Sequence, residues 1–276
     1  MKVSFIGGGR KLAACYNIFK GRNGFEIGGV YSKTPESCAE VAIEANAKIY
    51  QSLDGLYTDS DVIVLAIKDE AVPSVIASFS RLHAHGKVFV TVSDTLTSSE
   101  LSIAYPNACA IINSYLPFAQ MSDEQIHCAS LVCEVFGKNY NRFCDAIKNA
   151  DMDCVFVSSK QLQLYRTSLH IAKYGVMAAV ESAEQLMRIS TVSDNVKFLL
   201  PVIKSALNCA IGAKDDTTSP YETPLLDEIR KHRDILIENG IDSTGRLYNS
   251  TALFMTERSC SDREACDEVI RLIKNC

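Results

Sequence analysis

The sequence predicts an α/β chain with two parts. A Rossmann-like, doubly wound, mostly parallel sheet is expected over residues 1–157, and an all-helical domain over 158–276. Three observations carry this. Short β-forming apolar runs alternate with helix-permissive segments as far as Val157. A glycine turn follows the first of those runs at once. From Ser158 the β-runs stop and apolar residues recur at helical spacing.

Taken in order, Val3, Phe5 and Ile6 make a first strand, and Lys11 to Lys20 a first helix. Between them stand Gly7, Gly8 and Gly9. Strand, glycine turn, helix is the arrangement that turns backbone N–H groups at a helix N-terminus toward a pyrophosphate. Gly7 permits the tight turn, and Gly9, lacking Cβ, lets phosphate oxygens approach the backbone. Leu12 stands where the third glycine of G-x-G-x-x-G belongs, which implies a shifted or wider first helix. Phe25 to Tyr31 reads as strand two. An acid at its end would favour a free ribose 2′-hydroxyl, but the chain offers Tyr31-Ser32-Lys33-Thr34. Hydroxyls and a cation suit a 2′-phosphate, with Arg10 in reach of the same spot, so NADP is expected over NAD.

Thr34-Pro35 opens a helix over Glu36 to Asn46. Ala47 to Tyr50 is a short strand three, and Ser52 to Tyr57 a helical turn. Asp61 to Ile67 is the clearest buried parallel strand, with Lys68-Asp69 at its carboxyl end, where open α/β sheets bind ligands. A helix from Val72 to Leu82 and a fifth strand, Lys87 to Val92, follow, with Ser93-Asp94-Thr95 at that strand's mouth. Ala108 to Ile112 is strand six, leading into Asn113-Ser114-Tyr115. Ala129 to Phe136 and Cys154 to Val157 are further strand-like runs around a helix at Tyr140 to Asn149.

In the second part Leu162, Tyr165, Leu169, Ala172, Val176, Ala179, Ala183 and Leu186 trace one apolar stripe on a long helix of roughly 26 residues. Asn195 to Ala210, Asp227 to Asn239 and Asp262 to Lys274 are further helices. Residues 211–224 read as an irregular loop long enough to be functional.

Net charge of −5 argues against a nucleic-acid surface. No apolar run has the roughly 18 residues of a membrane span, and the start runs straight into a strand rather than a signal peptide. Eleven cysteines are an odd, scattered set without C-x-x-C. Reduced, buried thiols in a cytoplasmic protein are expected, with Cys15, Cys109 and Cys209 among apolar neighbours. No Cys/His cluster has zinc spacing, so no metal is expected.

The Gly-Gly-Gly-Arg turn, AIKDEAV after strand four, VSDT after strand five, NSYLPFAQM after strand six and LYRTSLHIAKY opening the long helix resemble the Rossmann-like/DUF2520 family. The group is similar in architecture to pyrroline-5-carboxylate, ketopantoate and 6-phosphogluconate reductases. The resemblance implies an NADP-binding domain followed by a helical dimerisation domain. Gly7, Gly9, Arg10, Ser93, Ser114, Pro117 and Tyr165 match its motifs, and Asp227 and His232 fit its late Asp…His pair. Thr91, Leu116 and Arg166 stand where the family has histidine, Tyr174 where it has asparagine.

The cofactor set expected is therefore Gly7, Gly8, Gly9, Arg10, Lys11, Ser32, Lys33, Thr34, Ala66, Ile67, Lys68 and Ser93. Hydride transfer asks little of the protein beyond a dry pocket and one proton donor. His170 and Lys173, three apart on one face of the long helix, and Ser93 are the expected catalytic groups. The expected function is hydride transfer between NADP(H) and a small keto or imino acid, by a homodimer. The alternative is an NADP-binding module without turnover.

Overall fold

The computed structural model describes residues 1–80, 82, 87–104, 110–115, 121–137, 140–190, 195–212, 226–259 and 263–274. The expected loop at 211–224, all but its first two residues, Cys109, His83, His85, Leu116 and Pro117 lie outside that set. Two compact units result, Met1–Leu169 and His170–Cys276. The division falls inside the long helix, whereas the change of composition points to its start.

The first unit holds an eight-stranded sheet: β1 (Lys2–Gly7), β2 (Glu26–Tyr31), β3 (Lys48–Ile49), β4 (Val62–Ala66), β5 (Val88–Val92), β6 (Ala110–Ser114), β7 (Leu131–Gly137) and β8 (Cys154–Phe156). Their spatial order is β3-β2-β1-β4-β5-β6-β7-β8. Neighbours run parallel except β6 and β7. Chain order reverses between β1 and β4, so the crossovers leave in opposite directions there and open a crevice at the strand carboxyl ends.

Helices cover both faces. They are α1 (Gly9–Phe19), α2 (Ala39–Glu44), α3 (Leu53–Asp59), α4 (Val72–Ser78), α5 (Ser98–Ala104), α6 (Asp123–His127) and α7 (Asn141–Asn149). The period-two pleat divides each central strand between two cores. Val62, Val64 and Ala66 of β4 join Phe5, Leu12 and Phe19 on one face. Ile63 and Leu65 join Tyr57, Phe79 and Phe89 on the other. Tyr57 stacks on Phe79, ring centroids 5.0 Å apart. Leu12 is fully buried in the first core, so its isobutyl group fills the space a third glycine would leave.

Three sequence expectations shift. The helix at Glu36–Asn46 is a 3-10 turn, Pro35–Cys38, followed by the shorter α2. β6 runs two residues past the expected end, which puts Asn113 and Ser114 inside the sheet. Cys209 is exposed, not buried, whereas Cys15 is buried. Burial pushes the Cys15 thiol up to about 12, against the opposing pull of Lys11.

The long helix α8 (Ser159–Ile189) runs from the first unit into the second. The second unit adds α9 (Asn195–Gly212), α10 (Leu226–Glu238), α11 (Asp242–Ser259) and α12 (Arg263–Lys274). Ile229, Ala252 and Val269 form a small core between α10, α11 and α12. Thr244 Oγ1 and Gln185 Oε1, 2.8 Å apart, tie α11 to α8. The apolar stripe expected to be core along α8 is buried only at Leu162. Ala172, Val176 and Ala179 are exposed, as are Ile171, Tyr174 and Met177 beside them. No helix among the described residues is long and apolar enough to cross a membrane.

Candidate active site at the sheet switch point

Gly7 ends β1 with φ +143°, and a Cβ there would lie 2.0 Å from the Ala66 carbonyl oxygen of β4. A Cβ on Gly8 would meet Ser37 Oγ at 2.3 Å. Gly9 has φ +61° and nothing within 4 Å of a built Cβ. The turn is thus tight beneath and open above. Helix α1 begins at Gly9 with no side-chain cap and no acid in its first turn, so its first N–H groups and the positive end of its dipole face outward uncompensated. That is the backbone geometry that receives phosphate.

A cleft of about 420 Å³ opens beside this turn. Gly7, Gly8, Lys11, Ser32, Lys33, Ala66, Ile67 and Lys68 line it, together with Tyr31, Leu53 of α3, and Ser74 and Val75 of α4. Eight of the expected cofactor residues are therefore brought to one place. Gly9, Arg10, Thr34 and Ser93 are not among the cleft's lining. Arg10 Nη2 instead donates to the Met121 carbonyl at 3.5 Å. The lining carries three lysines and no carboxylate, a cationic pocket suited to a phosphorylated ligand. Beside it, Ser32 Oγ and Ser37 Oγ stand 2.8 Å apart, and Ser37 Oγ donates to Thr34 O at 2.7 Å. Ser37 was not singled out by the sequence; its position within a turn after proline gave no signal beyond turn composition.

Asp69 organises the next part of the crevice. Its Oδ2 accepts from Ser93 Oγ (2.6 Å), Asp94 N (3.0 Å), Thr95 N (3.3 Å) and Thr95 Oγ1 (3.1 Å). Its Oδ1 receives Lys11 Nζ at 3.3 Å. Burial is the largest single influence on this carboxyl and pushes upward, but Ser93, Lys11 and Thr95 together outweigh it, and the group lies below the usual range. Asp69 thus ties the ends of β4 and β5 to α1. In the sequence Asp69 is marked only by its strand-end place, beside the more suggestive Lys68. Ser93 is buried. Its hydroxyl donates to Asp69 and accepts from Thr95 N and Leu96 N, at 3.2 and 2.9 Å. Ser114 donates to Val132 O at 3.0 Å and so belongs to the sheet.

Deeper along β5 and β6 lies a polar group that the sequence did not suggest. Thr91 Oγ1 donates to Asn113 Oδ1 at 2.7 Å, and Asn113 Nδ2 donates to Leu96 O and to Glu134 Oε1. Arg166 of α8 donates through Nη1 to the same Leu96 oxygen at 2.9 Å. Tyr165 packs edge-on against Tyr115, ring centroids 6.5 Å apart.

In the second unit, His170 and Lys173 gather on Tyr174. The His170 ring centroid lies 4.3 Å from that of Tyr174, and Lys173 Nζ is 3.3 Å from its hydroxyl. His170 is exposed and Lys173 half-buried. His232 Nδ1 pairs with Tyr248 OH at 2.9 Å.

Fold and cleft together define a Rossmann-type domain. Residues 2–94, β1 through the turn after β5, match the family described as NADP oxidoreductase, coenzyme F420-dependent. No curated protein matches the chain. Solved structures that resemble it do so over nearly its whole length. A reductive aminase from Aspergillus terreus aligns with TM-score 0.67 at 15% identity, covering 98% of both chains. 1-Pyrroline-5-carboxylate reductase from Streptococcus pyogenes aligns with TM-score 0.62 at 16% identity, over 100% of this chain and 99% of that one. An imine reductase from Pseudomonas sp. gives TM-score 0.62 at 15% identity and 92% of both. At such identities the likeness is one of fold.

Proposed function

We propose that the chain is an NADP(H)-dependent oxidoreductase moving hydride to or from a small keto- or imino-acid-type substrate. The observation that carries this reading is the cleft at Gly7–Gly8, where an uncapped helix start meets Lys11, Ser32, Lys33 and Lys68 without an acid. The α1 N–H groups would hold the diphosphate, with Lys11 as its counter-charge. Ser32 and Lys33 would hold the ribose 2′-phosphate. Gly9, Arg10, Thr34, Ala66, Ile67 and Ser93 complete the proposed cofactor set. The bound nicotinamide would supply the hydride chemistry.

Several lines agree with this. The family match of residues 2–94 names NADP, and the Aspergillus aminase was solved with NADPH and ethyl-5-oxohexanoate, and with NADPH and ethyl levulinate. Lys173 and His170 are the proposed proton donors. The DUF2520-like motifs suit a helical segment from Ser158 that serves substrate binding and dimerisation. Exposed Ile171 and Met177 of α8, and Phe198 and Val202 of α9, offer that segment an apolar surface for a second copy. Free thiols among the described residues suit a cytoplasmic setting.

Ser93 favours a second reading, cofactor binding without turnover. Its hydroxyl proton is committed to Asp69 and is not available to a substrate. Titrating NADPH and NADH against nicotinamide fluorescence tests both readings: saturable NADPH binding, tighter than NADH, is expected. Absence of binding would remove both. Turnover across a panel of keto and imino acids then separates reductase from binding module.

A further inference from the structure

Arg166 is 5% exposed, and two of its three side-chain nitrogens have no partner. Nη1 is engaged by Leu96 O, while Nε and Nη2 are buried and unpaired. These two nitrogens form one edge of the guanidinium. Their N–H bonds run parallel, at the spacing of the two oxygens of a carboxylate. Buried charged donors are kept unpaired at a large desolvation cost, so such an edge calls for an acceptor that completes it.

Among the described residues no acceptor meets that edge. Glu134, 2% exposed, is the nearest acid by charge influence. Its Oε1 is taken by Ser98 N and Asn113 Nδ2, and its Oε2 is likewise buried without a partner. Asp69 is engaged by Ser93, Thr95, Asp94 and Lys11. Burial draws the guanidinium pKa down, and Glu134, Asp69 and Asp94 act against it. The geometry has a consistent origin. Asn113 and Arg166 share Leu96 O, so the turn after β5 holds the guanidinium in place and leaves its second edge uncommitted. Leu96 itself follows the Ser93–Thr95 turn anchored by Asp69, which sets Arg166 at the strand ends where open α/β sheets receive ligands.

We infer that Arg166 is a specificity-determining residue that binds the carboxylate of the substrate two-pronged through its Nε and Nη2 edge, so that this chain selects an acid over a neutral ketone or imine. The inference rests on the reductase reading for the bound acid being a substrate, but not for its being bound. It also sets the chain apart from the Aspergillus aminase, whose solved complexes contain cyclohexanone and neutral esters.

The test uses the full chain with NADPH present, pyruvate as probe and pyruvamide as its neutral counterpart. The Arg166 Nε–H resonance is followed by ¹⁵N NMR, assigned in the parent by through-bond correlation along its own side chain to the backbone. Pyruvate is expected to move this resonance saturably, and pyruvamide to leave it in place. Arg166→Lys is expected to weaken pyruvate roughly tenfold or more, as loss of a bidentate charged contact does, with NADPH affinity unchanged. A resonance indifferent to pyruvate, or Arg166→Lys binding pyruvate like the parent, overturns the inference. The parent titration stands even should the variant fail to fold. NADPH binding with an unmoved Arg166 sinks this proposal and spares the reductase reading. A pyruvate response without NADPH binding does the reverse.

Discussion

Lys11 reaches across the crevice to Asp69. Its Nζ donates to Ile67 O at 2.6 Å and stands 3.3 Å from Asp69 Oδ1, with both side chains largely shielded from water. One residue of the glycine turn is thereby tied to the end of β4, and through Asp69 to the turn after β5. The expected phosphate counter-charge and the scaffold of the crevice are one connected structure.

Asp69→Asn is therefore expected to loosen all three elements. It removes charge-assisted bonds from Ser93, Asp94 and Thr95, and a cost of about 1–3 kcal/mol at neutral pH follows. The pH dependence has a defined sign. A carboxyl held below its unfolded value of about 3.9 stabilises the fold fully above that value. That contribution fades as pH falls through the lower folded-state pKa. Urea denaturation at pH 7 and along an acid series checks this: the Asn variant should be weaker at pH 7, and the gap to the parent should close in acid. Equal stabilities at pH 7 would contradict the hub.

Gly7 and Gly9 separate two uses of one residue type. Gly7→Ala would place a Cβ 2.0 Å from the Ala66 carbonyl at φ +143°, against a backbone atom that has no freedom to move. A loss above ~3 kcal/mol or failure to fold is expected, the scale of strain plus overpacking. Gly9→Ala meets open space and only the left-handed backbone penalty, about 1–2 kcal/mol. Thermal denaturation should rank them in that order. Nucleotide binding should suffer in Gly9→Ala despite the mild stability cost, because the added methyl occupies the open side of the turn.

Much of this was legible in the sequence. β4 shows itself as five consecutive apolar residues, all buried, and the glycine turn lies where a strand must hand over to a helix. What was hidden depended on distance along the chain or on tertiary override. α11 (DSTGRLYNSTALFMTERS) is rich in Ser, Thr and Asn, and carries Gly245, so neither propensity nor periodicity marks it. It is held by burial of Ala252 and Thr256 and by the bond from Thr244 to Gln185. Asp69 stands at a strand end beside a more suggestive lysine, and its role depends on partners at positions 11 and 93–95. Arg166 was visible only as a departure from a resembled motif. Its unpaired edge exists because β5, β6, β7 and α8 converge. Leu12 stands where the motif has glycine, and it is fully buried in the first core.

Lys33 tests the ribose assignment. Replacing it by alanine should weaken NADPH by roughly tenfold, the value of one charged phosphate contact of about 1.4 kcal/mol, and change NADH by less than about twofold on the same scale. Parallel fluorescence titrations check this. Equal weakening of both nucleotides would mean that Lys33 does not read the 2′-phosphate.

The apolar side chains left open on α8 and α9 make the oligomer a physical question. Phe198 is 56% exposed, Val202 66% and Ile171 68%. Surfaces of this kind are covered in stable proteins by another chain or a ligand, since about 25 cal/mol is gained per Å² of apolar area removed from water. A second copy offers the same helices in return, and a two-fold interface needs only a self-complementary patch. Light scattering coupled to size exclusion should therefore report twice the 30.3 kDa chain mass. Phe198→Glu should shift the population toward monomer, because a carboxylate buried in such an interface costs several kcal/mol without a partner. A monomeric parent would remove the dimer from the proposal and leave the nucleotide cleft, which lies wholly in the first unit, untouched.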